Sequence, residues 1–192
     1  MGEKKILGLA LCGSYCSYDK LFAAASALAE EYELVPIMSE TAASTDSRFG
    51  SAAENIRRLT ELCGRPPVTS IADAEPLGPA RPMDALLIAP CTGNTLAKLA
   101  HGITDSAVTM AAKAHLRNGR PLVLAISTND GLSGSAENIA RLLNRKNVYF
   151  VPFRQDDYKK KPCSLQADFA LAADSIAAAL SGQQIQPILS MK

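Results

Sequence analysis

Five short apolar runs punctuate the chain: Ile6–Cys12, Leu34–Met38, Ala85–Ala89, Leu122–Ser127 and Val148–Phe153. Near-continuous apolarity over such short stretches is what a strand buried on both faces requires. Between the runs the spacing becomes helical. Leu21, Ala25, Leu28 and Ala29 fall on one stripe, and Ile56, Leu59 and Leu62 on another. Leu165, Phe169, Ala172, Ile176 and Leu180 form a third, at intervals of three and four. β and α patterns alternating at this pitch predict a doubly wound α/β sandwich, a parallel sheet with helices on both faces in three layers.

Gly64–Pro82 breaks the rhythm with five prolines and two glycines. Proline at that density predicts neither helix nor central strand. The residues on either side would each make an incomplete sheet, so the segment reads as a long connection within a single domain spanning residues 1–192. Ala-rich stretches at 23–29 and 170–179 predict helices that pack closely, against the sheet or another subunit.

Composition narrows the class. The 192 residues are 47% hydrophobic and 20% charged, enough for a sizeable core. Twenty basic and nineteen acidic residues leave a net charge of +1, which offers no electrostatic footprint for nucleic acid or an anionic membrane. The N-terminal lead runs straight into Ile6–Cys12, which is too short for a membrane span and lacks a cleavage region. Cysteines 12, 16, 63, 91 and 163 are odd in number and scattered, as expected of reduced cytoplasmic thiols. Their spacing with His101 and His115 makes no zinc pattern, so no metal site is expected.

In an open parallel sheet, ligands bind beyond the carboxyl ends of the strands. Here those ends share small, hydroxyl-bearing or amide residues. They are Gly13, Ser14 and Ser17 after the first strand, and Ser39, Thr41, Ser44 and Thr45 after the second. Pro90-Cys-Thr-Gly-Asn-Thr95 follows the third, and Ser127-Thr-Asn-Asp-Gly131 the fourth. Each is also a good helix cap, and capping is the ordinary explanation of any one of them. Four successive strand ends with the same chemistry suit a phosphate monoester, because helix N-termini and hydroxyls supply donors together. No Gly-x-Gly-x-x-Gly follows the first strand and no Gly-Lys-Ser/Thr loop occurs. Dinucleotides, NADP among them, and nucleoside triphosphates are therefore disfavoured. Flavin mononucleotide (FMN) on a flavodoxin/Rossmann-like sheet fits better.

The block Ile88–Val108 (IAPCTGNTLAKLAHGITDSAV) is the most informative. Gly102 is placed to end one helix, and Asp105 or Ser106 to cap the next. With Gly13-Ser14 and Ser39, this block resembles the signature of the homo-oligomeric flavin-containing cysteine decarboxylase family, and the matching segment of flavin prenyltransferases. The resemblance implies an FMN site formed by Gly13, Ser14, Ser39, Thr92, Gly93, Asn94, Thr95, Ser127 and Thr128. Over nearly its whole length the sequence resembles one branch of this family, the dipicolinate synthase B subunits of spore-forming bacteria. Ser44–Gly50, Ala74–Pro79, Asp105–Lys113, Ile126–Asp130, Pro152–Asp157 and Lys161-Pro162 carry that likeness. It implies a homo-oligomer working with a separate A subunit in sporulation, forming dipicolinate from dihydrodipicolinate as an oxidoreductase component.

Some family features are replaced. The decarboxylases carry Pro-x-Met-Asn after the fourth strand and a catalytic histidine; here Ile126-Ser-Thr-Asn129 keeps the Asn without the Met. His101 sits in an Ala-His-Gly helix end, where it reads as complementing the helix dipole. The arginine that prenyltransferases place near the flavin phosphate has no counterpart around Ser127. Both cysteine decarboxylation and prenyl transfer are thus disfavoured. Arg48, Asn129 and Asp130 are candidates for a dicarboxylate substrate. Arg154 and Lys159–Lys161, in a mixed-charge loop that could equally be a solvated face, are candidates for the substrate or the A subunit. No general base is assigned, although Asp130 and Asn129 are the nearest polar groups. Two further readings stay open: a flavodoxin-like scaffold that does no chemistry itself, and a diverged FMN-dependent decarboxylase.

Overall fold

In the computed structural model, which describes residues 4–78 and 82–190, the apolar runs become the strands of one sheet. The first three residues of the N-terminal lead and residues 79–81 of the proline-rich connection lie outside that description. Strand β1 (Ile6–Leu11) leads into helix α1 (Tyr18–Glu31), then β2 (Glu33–Met38), α2 (Glu40–Ser44) and α3 (Ala52–Cys63). After α4 (Ile71–Ala74) come β3 (Ala85–Cys91), α5 (Gly93–His101), α6 (Ala107–Leu116), β4 (Leu122–Thr128) and α7 (Ala136–Leu143). Three short strands, β5 (Val148–Phe150), β6 (Phe153–Gln155) and β7 (Leu165–Ala167), precede α8 (Ala172–Leu180).

The sheet order is β2-β1-β3-β4-β7-β6, with β5 also paired to β4. β1 pairs parallel with β2 and β3, and β4 pairs parallel with β3 and β5, in the doubly wound arrangement the pattern predicts. β3 is buried at every residue and β4 at all but Thr128, which is why both read as unbroken apolar runs. One contiguous apolar core runs from Leu7 to Ala179. The Ala-rich helices α1 and α8 pack against one another, their small side chains allowing close approach.

Three expectations are corrected. The run Val148–Phe153 is two strands, because Pro152 has no N–H with which to continue a ladder. Beyond Pro152 the chain turns into the antiparallel pair β6–β7, which extends an otherwise parallel sheet. Leu165 belongs to β7 and Phe169 to a 3-10 turn; only the later part of that stripe, Ala172–Leu180, is α-helix. Both residues are buried, so apolar spacing alone does not reveal the change of element. The proline-rich connection, expected to hold no helix, contains α4 and a 3-10 turn at Glu75–Leu77. Ser70 caps α4 by accepting from Asp73 N at 3.1 Å, and Pro76 sits at the start of the 3-10 turn, where a missing N–H is harmless.

The α5–α6 junction follows the sequence closely. Gly102 ends α5 at φ 72°, a left-handed conformation that glycine adopts without cost. Ser106 and Thr109 then form a reciprocal capping box that starts α6.

Candidate functional site

The loops beyond β1 and β4 meet through hydroxyls. Ser127 Oγ, at the end of β4, lies 2.8 Å from Ser14 Oγ and 2.7 Å from Ser17 Oγ. Ser17 and Ser127 are buried, so these contacts replace water. Gln166 stands directly opposite Ser127 in the β4–β7 pairing, and its Nε2 donates to Ser17 Oγ at 3.1 Å. Lys20 Nζ donates to Gln166 Oε1 at 2.6 Å. Gly13, Ser14, Thr92, Ser127, Thr128 and Asn129 share a cavity of about 230 Å³ with Cys16, Asp156, Lys161, Ser164, Leu165 and Gln166.

A second cavity, about 240 Å³, shares Gly13 and Thr92 with the first and continues along the sheet edge. Ser39, Glu40, Thr41, Asn94, Thr95, Lys98 and Ser106 complete its wall above Cys12. Thr92 caps α5, its Oγ1 accepting from Thr95 N at 3.2 Å and lying 3.1 Å from Thr95 Oγ1. Thr95 Oγ1 in turn donates to Cys12 Sγ at 3.2 Å. Ser39 caps α2 by accepting from Ala42 N at 3.2 Å, and Glu40 Oε1 accepts from Ala107 N at 3.3 Å. Asn94 is exposed on the first turn of α5. The capping reading and the cavity-lining reading therefore both apply to Ser39 and Thr92.

Burial pushes the Cys12 thiol up to about 11, against smaller lowering effects led by the Thr95 hydrogen bond. Burial also holds the Cys91 thiol well above its usual range. Both are neutral at physiological pH and act as small apolar fillers beneath the site.

Behind the first cavity the β4–α7 loop is cross-tied. Asp130 Oδ1 accepts from Thr128 Oγ1 at 2.5 Å and from Ser135 Oγ at 2.9 Å. Gly93 fits against this group: a Cβ there would stand 2.6 Å from Ser135 Oγ and 2.7 Å from Thr128 Oγ1. At Gly13, by contrast, a Cβ would make ordinary contact with Tyr15 at 3.8 Å and Thr41 at 3.9 Å, so a side chain is not excluded there.

Of the predicted residues, the fold gathers Gly13, Ser14, Ser39, Thr92, Asn94, Thr95, Ser127, Thr128 and Asn129 around the two cavities. Gly93 and Asp130 support the wall from behind, and Arg48 lines neither cavity. It is exposed, its guanidinium 4.8 Å from the Phe49 ring centroid. Sequence reasoning missed Cys16, Asp156, Ser164, Gln166 and, on the second cavity, Glu40, Lys98 and Ser106. Lys161 is a candidate from its loop alone, and its ammonium donates to Asp156 Oδ2 at 2.9 Å, which raises its pKa. Gln166 carries no signal because the antiparallel strand that positions it reads as helix. A larger cavity, about 520 Å³, lies between α1 and β6–β7 and shares only Asp156 and Gln166 with the hydroxyl site. It contains none of the strand-end hydroxyls. Among the described residues no group of three metal-ligating side chains converges, and no helix is long and apolar enough to cross a membrane.

The sequence profile of the family described as Flavoprotein matches residues 1–181. The chain is 47% identical over 186 residues to the dipicolinate synthase B subunit of Bacillus subtilis (strain 168), covering 96% of this chain and 93% of that protein. It superposes on the crystal structure of the dipicolinate synthase B subunit from Bacillus halodurans C with a TM-score of 0.89 and 44% identity, covering 98% and 97% of the two chains. A dodecameric FMN-dependent UbiX-like decarboxylase from Escherichia coli O157:H7 superposes with a TM-score of 0.61 at 26% identity, covering 77% and 79%.

Proposed function

Because the chain belongs to the Flavoprotein family, we propose that it binds FMN at the strand-end hydroxyl cluster and serves as the B component of a dipicolinate-forming oxidoreductase. In this reading residues 1–192 form one unit in the cytoplasm, and the five free cysteines agree with that compartment. The protein acts in sporulation with a separate A subunit, which carries the nicotinamide site. It assembles as a homo-oligomer, as the FMN-dependent relative of known dodecameric state does.

The observation that carries the reading is the pair of adjacent cavities with Gly13 and Thr92 in both walls, lined by hydroxyls and the N-terminus of α5. Neutral donors at a helix N-terminus suit a phosphate monoester. Gly13, Ser14 and Ser39 hold the phosphate side. Thr92, Asn94 and Thr95 line the ribityl chain and ring, on a backbone that Gly93 lets approach the β4 loop. Ser127 and Thr128 close the site. A bound FMN supplies the hydride-accepting chemistry that aromatising a dihydropyridine dicarboxylate requires.

Asn129 and Lys161, which share the first cavity, are the groups placed to orient a dicarboxylate. Arg48, expected to bind the dicarboxylate, lines neither cavity and lies over Phe49 instead. Asp130 Oδ1 is already engaged by Thr128 and Ser135, and its part is to fix the loop that carries Asn129.

One observation favours a second reading, the scaffold that does no chemistry. Among the described residues neither cavity is lined by a histidine, and Asp130 is occupied. Titration of the purified chain with FMN, with FAD and NADP as competitors, tests the cofactor site. Selective FMN binding, weakened at least tenfold in Asn94→Ala/Thr95→Ala, supports the proposal. Dipicolinate formation with the A subunit that survives this double substitution, with the complex intact, would leave the scaffold reading in its place.

A further inference from the structure

The contacts from Lys20 to Ser14 form one hydrogen-bonded line, and its polarity is determined at the Lys20 end. An ammonium has donors and no acceptor, so the Gln166 atom that faces Lys20 Nζ at 2.6 Å must be Oε1. The amide Nε2 is thereby turned toward Ser17 and donates to its Oγ at 3.1 Å. Ser17 is fully buried, and its own proton needs an acceptor. Two are in reach: Ser127 Oγ at 2.7 Å and Cys16 Sγ at 3.9 Å. Sulfur is the weaker acceptor, so the proton goes to Ser127. Ser127 then donates to Ser14 at 2.8 Å, and the Ser14 proton, with only the weak acceptor Cys16 Sγ at 3.9 Å beside it, is left for the cavity.

We propose that Lys20 and Gln166 are positioning residues that set this relay so that Ser14 presents a donor, making the cavity selective for an anionic oxygen, a phosphate monoester or a carboxylate. The inference rests on the flavin reading only for the choice between those two anions. Neither Lys20 nor Ser17 lines the cavity, so neither acts by contact. If Lys20 is removed, the Gln166 amide is free to turn over. Its Oε1 then accepts from Ser17, Ser127 donates to Ser17, and Ser14 donates to Ser127. In that second orientation the line runs in reverse and the cavity meets a lone pair where it met a proton, so the site is divided between the two states. β7 makes this coupling possible, because its antiparallel register sets Gln166 opposite Ser127.

The test is a double-mutant cycle on the full chain with Lys20→Met, Ser14→Ala and the combination. FMN, riboflavin, inorganic phosphate and pyridine-2,6-dicarboxylate are titrated against each. Lys20 is exposed, so its substitution leaves the fold intact. Loss of the Ser14 donor to a charged group predicts about tenfold weaker binding of the recognised anion in Ser14→Ala, and Lys20→Met, which leaves the amide either orientation, predicts a loss of about twofold. The double variant should be no weaker than Ser14→Ala alone. Lys20→Arg, also a donor without an acceptor, should restore the affinity.

A loss confined to FMN, with riboflavin unaffected, identifies the anion as the phosphate. A loss confined to the dicarboxylate identifies it as a carboxylate of the pyridine dicarboxylate, the product of the proposed reaction. Failure of FMN to bind the unmodified chain, while the dicarboxylate obeys the cycle, would end the flavin reading and leave the relay standing. Additive losses would mean that Lys20 acts as a distant charge, and the relay falls. It falls equally if no probe binds the unmodified chain, or if Lys20→Met changes nothing.

Discussion

Gly93, in the first turn of α5, faces Ser135 so closely that a single added carbon would stand 2.6 Å from the serine hydroxyl. The same carbon would meet Thr128 Oγ1 at 2.7 Å and Asp130 Oδ1 at 2.8 Å. None of the three can yield without breaking the Asp130 cross-ties. Gly93→Ala should therefore cost about 1–3 kcal/mol, as overpacking does. Urea denaturation should register this as a lower midpoint with an unchanged slope. FMN affinity should fall as well, because the displaced loop carries Thr128.

Asp130 separates a structural from a chemical role. Its Oδ1 accepts two hydroxyl hydrogen bonds, and an amide oxygen can accept the same two. Asp130→Asn should stay within about 1 kcal/mol of the original stability, whereas Asp130→Ala should lose about 2 kcal/mol by leaving both hydroxyls without an acceptor. Thermal melts of the two variants check this, and equal losses would show that charge, not hydrogen bonding, ties the loop.

Acid should destabilise the protein through His115. Its Nε2 donates to Pro121 O at 2.9 Å, while Nδ1 is buried without a partner. Protonation would place a second buried N–H where nothing accepts it, and burial pushes the pKa down from 6.5 to about 4. Between those values the unfolded chain binds more protons than the folded one, so stability falls as pH falls. The full contribution, roughly 3 kcal/mol, should be present above pH 6.5 and lost progressively down to about pH 4. Denaturation midpoints measured from pH 7 to 4 should show this slope in the unmodified chain and a shallower one in His115→Leu.

The thiols should react in an order set by burial and by the ligand. Cys12 and Cys91 are buried and neutral, Cys63 is pushed up to about 12 by burial, and Cys16 is exposed on the first cavity. Iodoacetamide at pH 8 should modify Cys16 well before Cys12 or Cys91, as peptide mass mapping would reveal. Saturating FMN should slow the reaction at Cys16. An unchanged rate there would place the cofactor away from this cavity.

The strands and the hydroxyl theme were legible in the sequence because they follow from local rules. A strand buried on both faces must be apolar throughout, so β1, β3 and β4 announced themselves. A helix start needs a side-chain acceptor, so Ser39, Thr92 and Ser106 stood out, as did Gly102 at a helix end. In an open parallel sheet these caps lie at one edge, which made the position of the candidate cavities readable before their geometry.

The tertiary structure alone decided what completes the site. Leu165 and Phe169 have the spacing of a helix face, and local pattern cannot distinguish that from a buried strand followed by a turn. What settled the matter was the stretch of β4 beyond Leu124, where pairing with β5 has ended and the backbone groups of Ser127 and Thr128 take β7 as partner. That pairing brings Gln166 to Ser127 across 39 residues of sequence and aligns Lys20 with Ser14 through them. Caps and strands are fixed by neighbours along the chain. The relay depends on which unpaired strand edge a distant segment finds, and only the folded chain contains that information.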